Sequence, residues 1–209
     1  MTTQVFLLLD MSGSMQDGKE MTVDACNEFI TGQKSGPGVE ESAFTLAVFN
    51  SNIGLERIVK EAPMDSVPLV EHEHYQPDGV TPLYDAIGTG MDLLEHQSGP
   101  VLFIIQTDGY ENSSQKVTRE DVIRRVAEKT AAGWQFVYLG CDIDAMRSGG
   151  DIGIAAGNTM AYDRLNMKNA FQSLSTSTYN YRVGKSIPLP DFFRTEEGDA
   201  EDKAPDTGR

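Results

Sequence analysis

The sequence is poor in the residues that build cross-linked or membrane-spanning proteins. Its 209 residues include two cysteines, Cys26 and Cys141, which lie far apart and outside any C-x-x-C pair. A disulfide framework or a zinc knuckle is therefore not expected, and both cysteines are predicted to be buried apolar side chains. The early apolar run at residues 5–9 ends at Asp10 and has no basic segment before it. It is too short for a secretory signal or a membrane span, which predicts a soluble, cytoplasmic protein.

Basic residues are also scarce. The chain has 17 Lys and Arg against 32 Asp and Glu, a net charge of −15. Residues 191–209 hold seven of the acids and three of the bases, so the rest still carries −11. Such a field repels phosphate backbones and anionic lipids, which argues against nucleic-acid and membrane partners. Residues 188–209 are predicted to be a disordered acidic tail, which leaves one domain over residues 1–187.

Apolar strands alternate with helical patterns along this domain. The predicted strands are 4–9, 43–50, 53–60, 101–106, 134–140 and 158–162, and the predicted helices are 18–33, 82–96, 118–131, 142–148 and 164–178. Continuous apolar runs such as 101–106 are typical of strands buried on both faces of a parallel sheet. The adjacent strands 43–50 and 53–60 predict a hairpin with one antiparallel edge strand. Together these patterns predict a doubly wound, Rossmann-like α/β fold with helices on both faces.

Two of the helices carry start signals in the sequence. Thr81 before Pro82 predicts an N-cap followed by proline at the first helical position, and Thr118 predicts a second N-cap. Apolar residues at helical spacing predict the buried faces. In the first and third helices these residues are Met21, Cys26, Phe29, Ile30, Val122, Ile123, Val126 and Ala127.

Oxygen-bearing side chains follow two of the buried strands. Asp10, Ser12 and Ser14 come directly after strand 4–9, and Asp108 follows strand 101–106. If these strands are neighbours at the centre of the sheet, both carboxylates enter the crevice at the carboxyl ends of the strands. Gly13 lets the backbone bend tightly between the serines. Carboxylate and hydroxyl oxygens suit Mg²⁺, Mn²⁺ or Ca²⁺ better than zinc, so we expect an exposed divalent-metal site here.

The same residues belong to a longer pattern. Asp10-x-Ser12-x-Ser14 after an apolar strand, Thr81 in a loop before a helix, and Thr107-Asp108-Gly109 after a later strand resemble the von Willebrand factor A (VWA) family. The resemblance spans roughly residues 4–180 and matches all five positions of the family's metal-ion-dependent adhesion site. It implies that a divalent ion, Mg²⁺ or otherwise Mn²⁺ or Ca²⁺, is held directly or through water by Asp10, Ser12, Ser14, Thr81 and Asp108.

The resemblance also implies a partner and a branch of the family. In the family, a carboxylate of a partner protein fills the open coordination position of the metal. We therefore expect a protein-binding module, not an enzyme, that recognises an Asp or Glu side chain. Without an adhesive extracellular signature, the chain resembles the intracellular bacterial or phage branch. Tyr110 and Glu111 flank Asp108 and are predicted to form a rim that contacts the partner.

Simpler structural roles remain open for each of these residues. Ser12 and Ser14 are also suited to cap the helix that follows, Thr81 to cap its own helix, and Asp108 to form a tight Asp-Gly turn. A second metal site at His72 and His74 is a further hypothesis, against a solvated loop.

Two enzymatic interpretations compete with the binding module. Gly13-x-x-x-x-Gly18-Lys19 is close to a nucleotide-binding P-loop, but Glu20 stands where Ser or Thr should hold Mg²⁺, and Asp17 places a negative charge near the phosphates. Asp10 also suits the nucleophile of a haloacid dehalogenase-like phosphatase, but Ser12 replaces the expected acid/base aspartate. The alternative function is thus a metal-dependent hydrolase or nucleotidase that uses the same crevice.

Overall fold

A computed structural model describes residues 1–184 and 191–193, and a six-stranded sheet forms its centre. The strands are β1 Thr3–Asp10, β2 Ser42–Asn50, β3 Gly54–Pro63, β4 Val101–Thr107, β5 Gln135–Cys141 and β6 Thr159–Tyr162. Their order is β3-β2-β1-β4-β5-β6. All neighbours pair in parallel except β2 and β3, which form an antiparallel hairpin at one edge. The predicted mixed sheet and its antiparallel edge strand are confirmed.

Helices cover both faces of the sheet. They are α1 Lys19–Gln33, α2 Leu83–Leu93, α3 Arg119–Ala131, α4 Ala145–Asp151 and α5 Met167–Val183. Successive residues of β1 point to opposite faces, as the pleat of a strand requires. Val5 and Leu7 pack in the core layer with α1 and α5, whereas Phe6 and Leu8 pack in the layer with α2 and α3. This is the predicted Rossmann-like α/β architecture.

Several helix predictions need correction. Residues Gly13–Gly18 form a 3-10 turn, so α1 begins at Lys19. Met21 is exposed, because Val23 takes the inward position and residues two apart lie on nearly opposite sides of a helix. Ala127 is also exposed and Ile123 is half-buried, so Val122 and Val126 alone fill the buried face of α3.

The last two helices begin later than predicted, because capping side chains precede them. Asp144 accepts a hydrogen bond from the Arg147 N–H and so sets the start of α4. Asp163 accepts one from the Asn166 N–H and holds a 3-10 turn over Arg164–Asn166, so α5 begins at Met167. The capping of α3 by Thr118 is confirmed as a full capping box with Asp121.

Cys26 and Cys141 are buried and free, as predicted. Among the described residues, no helix is long and apolar enough to cross a membrane. The predicted domain boundary at residue 187 and most of the predicted tail lie outside the described residues. Phe192, which falls within the predicted tail, is only 1% exposed and packs against Tyr181, so this part of the chain lies on the domain.

Candidate metal centre

The crevice lies where the two central strands end. β1 and β4 pair in parallel with Leu9 opposite Gln106, so the predicted adjacency of these strands is confirmed. Asp10 ends β1, and Asp108 directly follows the last residue of β4. The two carboxylates therefore emerge at the same edge of the sheet. The fold also brings the Thr107 hydroxyl into contact with the Asp10 carboxylate, although the two residues are 97 positions apart in the chain.

Four of the five predicted ligands form one chain of hydrogen bonds. Asp10 Oδ1 accepts from the Ser12 N–H at 2.7 Å. The Ser12 and Ser14 hydroxyl oxygens share a hydrogen bond at 3.1 Å. Ser14 Oγ then donates to Asp108 Oδ1 at 2.6 Å. Two carboxylates, one main-chain N–H and two hydroxyls thus form one continuous chain of hydrogen bonds.

Asp10 is fully buried, contrary to the expectation of an exposed site. Its second oxygen accepts from Thr107 Oγ1 at 2.5 Å, and its main-chain carbonyl accepts from the Tyr75 hydroxyl. Burial raises the pKa of Asp10 to about 6, although the hydrogen bonds from Thr107 and Ser12 lower it, and the charge of Asp108 adds to the rise. An ionised Asp10 is therefore costly in the protein without a cation.

A long loop explains this burial. The Gly13 N–H donates to the Gly79 carbonyl at 3.0 Å, and the Asp78 N–H donates to the Met11 carbonyl at 3.0 Å. Gly79 has a φ of +70°, a left-handed conformation that favours glycine. The segment 75–81 therefore lies across the turn after β1 and covers it. Of the predicted ligands, only Ser14 is an exposed residue.

Thr81 reaches the crevice through this loop, but it does not cap α2. Its N–H donates to Asn112 Oδ1 at 2.9 Å, and its carbonyl accepts from the Asn112 N–H at 3.2 Å. The helix begins at Leu83, and Pro82 in the N-cap position supplies no side-chain cap. Thr81 Oγ1 lies only 3.1 Å from where a Cβ on Gly109 would stand. The fifth predicted ligand thus contacts the turn that carries Asp108.

Glu111 supplies the missing cap. Its carboxylate accepts from the N–H groups of Tyr84, Ser113 and Ser114 and from the Ser114 hydroxyl, at 2.7–2.9 Å. These four donors give Glu111 a structural part that the sequence analysis missed. Tyr110 is different: it is 55% exposed, and its hydroxyl accepts from the Asp144 N–H at 3.3 Å. Tyr110 is therefore the predicted rim residue whose side chain faces solvent.

Arg164 is the second residue that sequence reasoning missed. Its Nη2 lies 3.0 Å from Asp108 Oδ2, and its Nε lies 3.3 Å from Asp142 Oδ2. Burial raises the pKa of Asp108, while the hydrogen bond from Ser14 and the charge of Arg164 oppose that rise. Arg164 precedes α5 and is 56 residues from Asp108, so no local spacing could have signalled the pair.

The competing sites find less support in the geometry. Gly13–Gly18 is a 3-10 turn, and Lys19 Nζ donates to Gln76 Oε1 at 2.8 Å instead of standing free. His72 Nε2 lies 3.8 Å from Asp24 Oδ1. Across the described residues, no group of three or more His, Cys, Asp and Glu side chains is placed to hold a metal ion. A metal in the crevice would therefore depend on the serine and threonine hydroxyls as well as the carboxylates.

Solved structures identify the class of fold. The vWF domain of the type V pili tip protein Mfa5 from Porphyromonas gingivalis superposes with a TM-score of 0.66 at 9% identity, over 85% of this chain and 95% of that one. The ArnB paralog VWA2 from Sulfolobus acidocaldarius gives 0.58 at 16% identity, over 84% and 44%. These likenesses show that the chain has the fold of a VWA domain.

A third similar structure was solved with a metal. Proximal thread matrix protein 1 from the mussel byssus, with a zinc-occupied MIDAS motif, gives a TM-score of 0.51 at 14% identity, over 82% of this chain and 46% of that one. The chain thus spans less than half the length of the byssus protein and of the ArnB paralog. No protein-family model and no curated protein matches the sequence.

Proposed function

We propose that this chain is a divalent-metal-dependent protein-binding module of VWA type. The ion, Mg²⁺ or otherwise Mn²⁺ or Ca²⁺, would be held by Asp10, Ser12, Ser14, Thr81 and Asp108. A carboxylate of a partner protein would take the open coordination position. The observation that carries this proposal is the continuous cluster in which the Asp10 carboxylate accepts from the Ser12 main-chain N–H, and the Ser12 and Ser14 hydroxyls lead on to Asp108.

The donor set fits a hard divalent cation. Carboxylate and hydroxyl oxygens are the ligands that Mg²⁺ and Ca²⁺ prefer, and Mg²⁺ commonly keeps water in its remaining positions. The pKa values of Asp10 and Asp108 are both raised, in each case chiefly by burial. Since an ionised carboxylate is costly in this crevice, a bound dication would offset that cost. The ion would supply an electrophilic centre for an anionic oxygen.

The similar structures support a binding role. Mfa5 is a pilus tip protein and SpaC from Lactobacillus rhamnosus GG is a pilus adhesin, and both have domains of this fold. The byssus protein shows that a MIDAS motif on this fold holds a divalent metal. For this chain, metal dependence, the carboxylate partner, a cytoplasmic location and the bacterial or phage branch remain parts of the proposal.

We also propose that the module is not an enzyme. Asp10, the candidate nucleophile of a phosphatase, is fully buried, and each of its carboxylate oxygens already accepts a hydrogen bond. A nucleophile needs an accessible oxygen that faces its substrate. If the purified protein hydrolyses phosphate esters or nucleotides and Asp10→Asn abolishes that hydrolysis, the hydrolase alternative replaces this proposal.

The metal is tested by titration calorimetry with MgCl₂. Asp10→Asn removes one charge and keeps an oxygen to accept from the Ser12 N–H, so we expect a folded protein whose Mg²⁺ affinity is reduced at least about tenfold. Asp65→Asn, at an exposed position outside the crevice, is the control for the lost charge and should bind as the wild type does. Equal affinity in wild type and Asp10→Asn would refute the metal site.

The partner is tested by affinity capture in Mg²⁺ and in EDTA. Proteins retained by the wild type in Mg²⁺ should elute in EDTA, because Asp10 and Asp108 without a metal repel a carboxylate. Thr81→Ala removes a neutral ligand and leaves the net charge unchanged, so it should weaken the binding of the captured partner more than the binding of Mg²⁺. Thr176→Ala, an exposed threonine on α5, is the matched control. Equal retention in Mg²⁺ and EDTA would show that the crevice is not the recognition site.

A further inference from the structure

The Arg164 side chain brings a positive charge into the crevice. The Arg164 guanidinium lies within ion-pair distance of three carboxylates: Asp108 at 3.0 Å, Asp142 at 3.3 Å and Asp17 at 3.9 Å. The Asp108 side chain is 1% exposed, Arg164 is 25% exposed and Asp17 is 91% exposed. The pair with Asp108 is therefore the desolvated one, and the pair with Asp17 is open to solvent and weak.

The surrounding chain holds Arg164 in place. Its aliphatic stem passes beside Gly18, where a Cβ would lie 3.4 Å from Arg164 Cδ. The main-chain N–H of Arg164 donates to Asp142 Oδ1 at 3.1 Å, so the Asp142 carboxylate binds both the main chain and the guanidinium of Arg164. Asp142 has a φ of +54°, a left-handed conformation that is uncommon outside glycine. Backbone in that conformation persists where surrounding contacts fix it, and here those contacts include Arg164.

Ser14 and Arg164 each donate a hydrogen bond to a different oxygen of the Asp108 carboxylate. Oδ1 accepts from the Ser14 hydroxyl, a candidate metal ligand, whereas Oδ2 accepts from Arg164 Nη2. A guanidinium keeps its positive charge throughout the physiological pH range. The crevice therefore contains a permanent cation next to the carboxylate that would face the metal.

We propose that Arg164 is a built-in counter-cation of this crevice. It neutralises Asp108 in the metal-free protein, and by the same charge it lowers the affinity for the divalent ion. The metal consequently binds despite repulsion by a fixed positive charge. When the metal leaves, the same charge keeps the side chains of the crevice in their arrangement. This inference rests on the proposed metal site, and it assigns to Arg164 a positioning part outside the five-residue ligand pattern.

The test compares Arg164→Met with wild type by MgCl₂ calorimetry and by thermal melting in EDTA. Methionine keeps much of the length of the stem and removes the charge. We expect Mg²⁺ to bind about tenfold more tightly, the scale for removing a unit charge a few ångströms from a dication in a partly screened site. In EDTA, the melting temperature should fall by several degrees, because Asp108 is left buried without its partner.

Matched variants separate charge from packing. Arg124→Met loses the same charge on α3, where the partners of Arg124 are Asp121 and Glu128 of the same helix, and it should change neither quantity appreciably. Arg164→Lys keeps the charge and should bind Mg²⁺ within about twofold of the wild type. If Arg164→Met does not fold, Arg164→Gln replaces it, since its neutral amide still donates to Asp108.

The outcomes distinguish this inference from the proposed function. If the wild type binds Mg²⁺ through Asp10 but Arg164→Met binds no more tightly, only the counter-cation is refuted. If Arg164→Met binds Mg²⁺ and the wild type does not, the counter-cation proposal is supported and the proposed metal dependence of the wild type is refuted. If neither protein binds Mg²⁺, both are refuted. An unchanged melting temperature of Arg164→Met in EDTA also refutes the counter-cation.

Discussion

At the scale of single residues, the Asp10 carboxyl ties stability to pH. Its pKa is raised from 3.8 to about 6, chiefly because burial disfavours the charged form. A carboxyl whose pKa is higher in the folded state stabilises the protein most below its unfolded pKa, near 4. That contribution is lost as the pH rises through about 6. Asp10 therefore destabilises the metal-free fold at neutral pH, which is typical of a site kept for binding.

Asp10→Asn should show this cost directly. Asparagine imitates the protonated acid, so in EDTA at pH 8 the variant should exceed the wild type in free energy of unfolding by about 3 kcal/mol, an order-of-magnitude figure from the pKa shift. The difference should shrink towards zero at pH 4. Urea unfolding across this pH range measures it. A difference independent of pH would contradict the raised pKa of Asp10.

Gly109 is a second single residue on which the site depends. A Cβ at this position would lie 3.1 Å from Thr81 Oγ1, closer than side chains normally pack. Gly109→Ala should displace Thr81 and lower Mg²⁺ affinity about tenfold, with a stability cost of about 1–3 kcal/mol, typical of overpacking. Gly150→Ala on α4, where the added Cβ has no neighbour within 4 Å, is the control. Unchanged Mg²⁺ binding by Gly109→Ala would show that the position of Thr81 does not contribute to metal binding.

At the scale of elements, α2 is positioned by a loop and not by its own cap. The Glu111 carboxylate accepts from the Tyr84 N–H at the start of the helix, and Ser114 Oγ accepts from the Asp85 N–H. The Asp85 carboxylate in turn accepts from the N–H groups of residues 115–117. Burial alone would raise the pKa of Asp85, but these three donors hold it below its usual value. Helix and loop therefore fix one another next to Thr81.

Glu111→Gln tests this element. The amide keeps one oxygen but loses the charge, so some of its four donors are left without a partner, which should cost about 1–3 kcal/mol. Because α2 and the loop hold Thr81 through Asn112, Mg²⁺ affinity should also fall. Glu40→Gln at an exposed turn is the matched control. A Glu111→Gln variant as stable as the control would assign the residue to the rim and not to the fold.

At the scale of the whole molecule, residues 191–193 contribute to the core. Phe192 packs with Tyr181 and with Phe193, and its N–H donates to Asn158 Oδ1 at 3.1 Å. Phe192→Ala should lower the free energy of unfolding by about 3 kcal/mol, within the range for buried aromatics. Leu165→Ala, at a side chain 91% exposed, should leave it nearly unchanged. Equal stability of the two variants would show that residues 191–193 do not dock in solution.

The acidity of the molecule bears on how a partner approaches. A net charge of −15 opposes the approach of an acidic partner over long range. A divalent cation in the crevice offsets only two of these charges, so the field at long range stays repulsive, and added salt weakens it by screening. Partner association should therefore be slower at low salt than at high salt. Stopped-flow association rates in 20 mM and 200 mM NaCl would measure this, and a rate that falls with salt would contradict it.

The sequence by itself determined the sheet and the composition of the crevice. Continuous apolar runs such as residues 101–106 are long enough and uniform enough to specify buried parallel strands. Asp10 and Asp108 follow two such strands, so their meeting at one edge required only that the strands be neighbours. Helix limits were less certain, because capping by Asp144 and Asp163 depends on local geometry that the apolar pattern does not record.

Tertiary structure alone decided how the crevice is covered and charged. Burial of Asp10 results from the loop at residues 75–81, which is held by main-chain hydrogen bonds from Gly13 to Gly79 and from Asp78 to Met11, and such bonds do not follow from apolar periodicity. The start of α2 is set by Glu111, and the charge beside Asp108 comes from Arg164, 56 residues away. Residue spacing predicts which side chains are neighbours within one helix or strand. Contacts between loops form only after the sheet has brought the ends of the strands together.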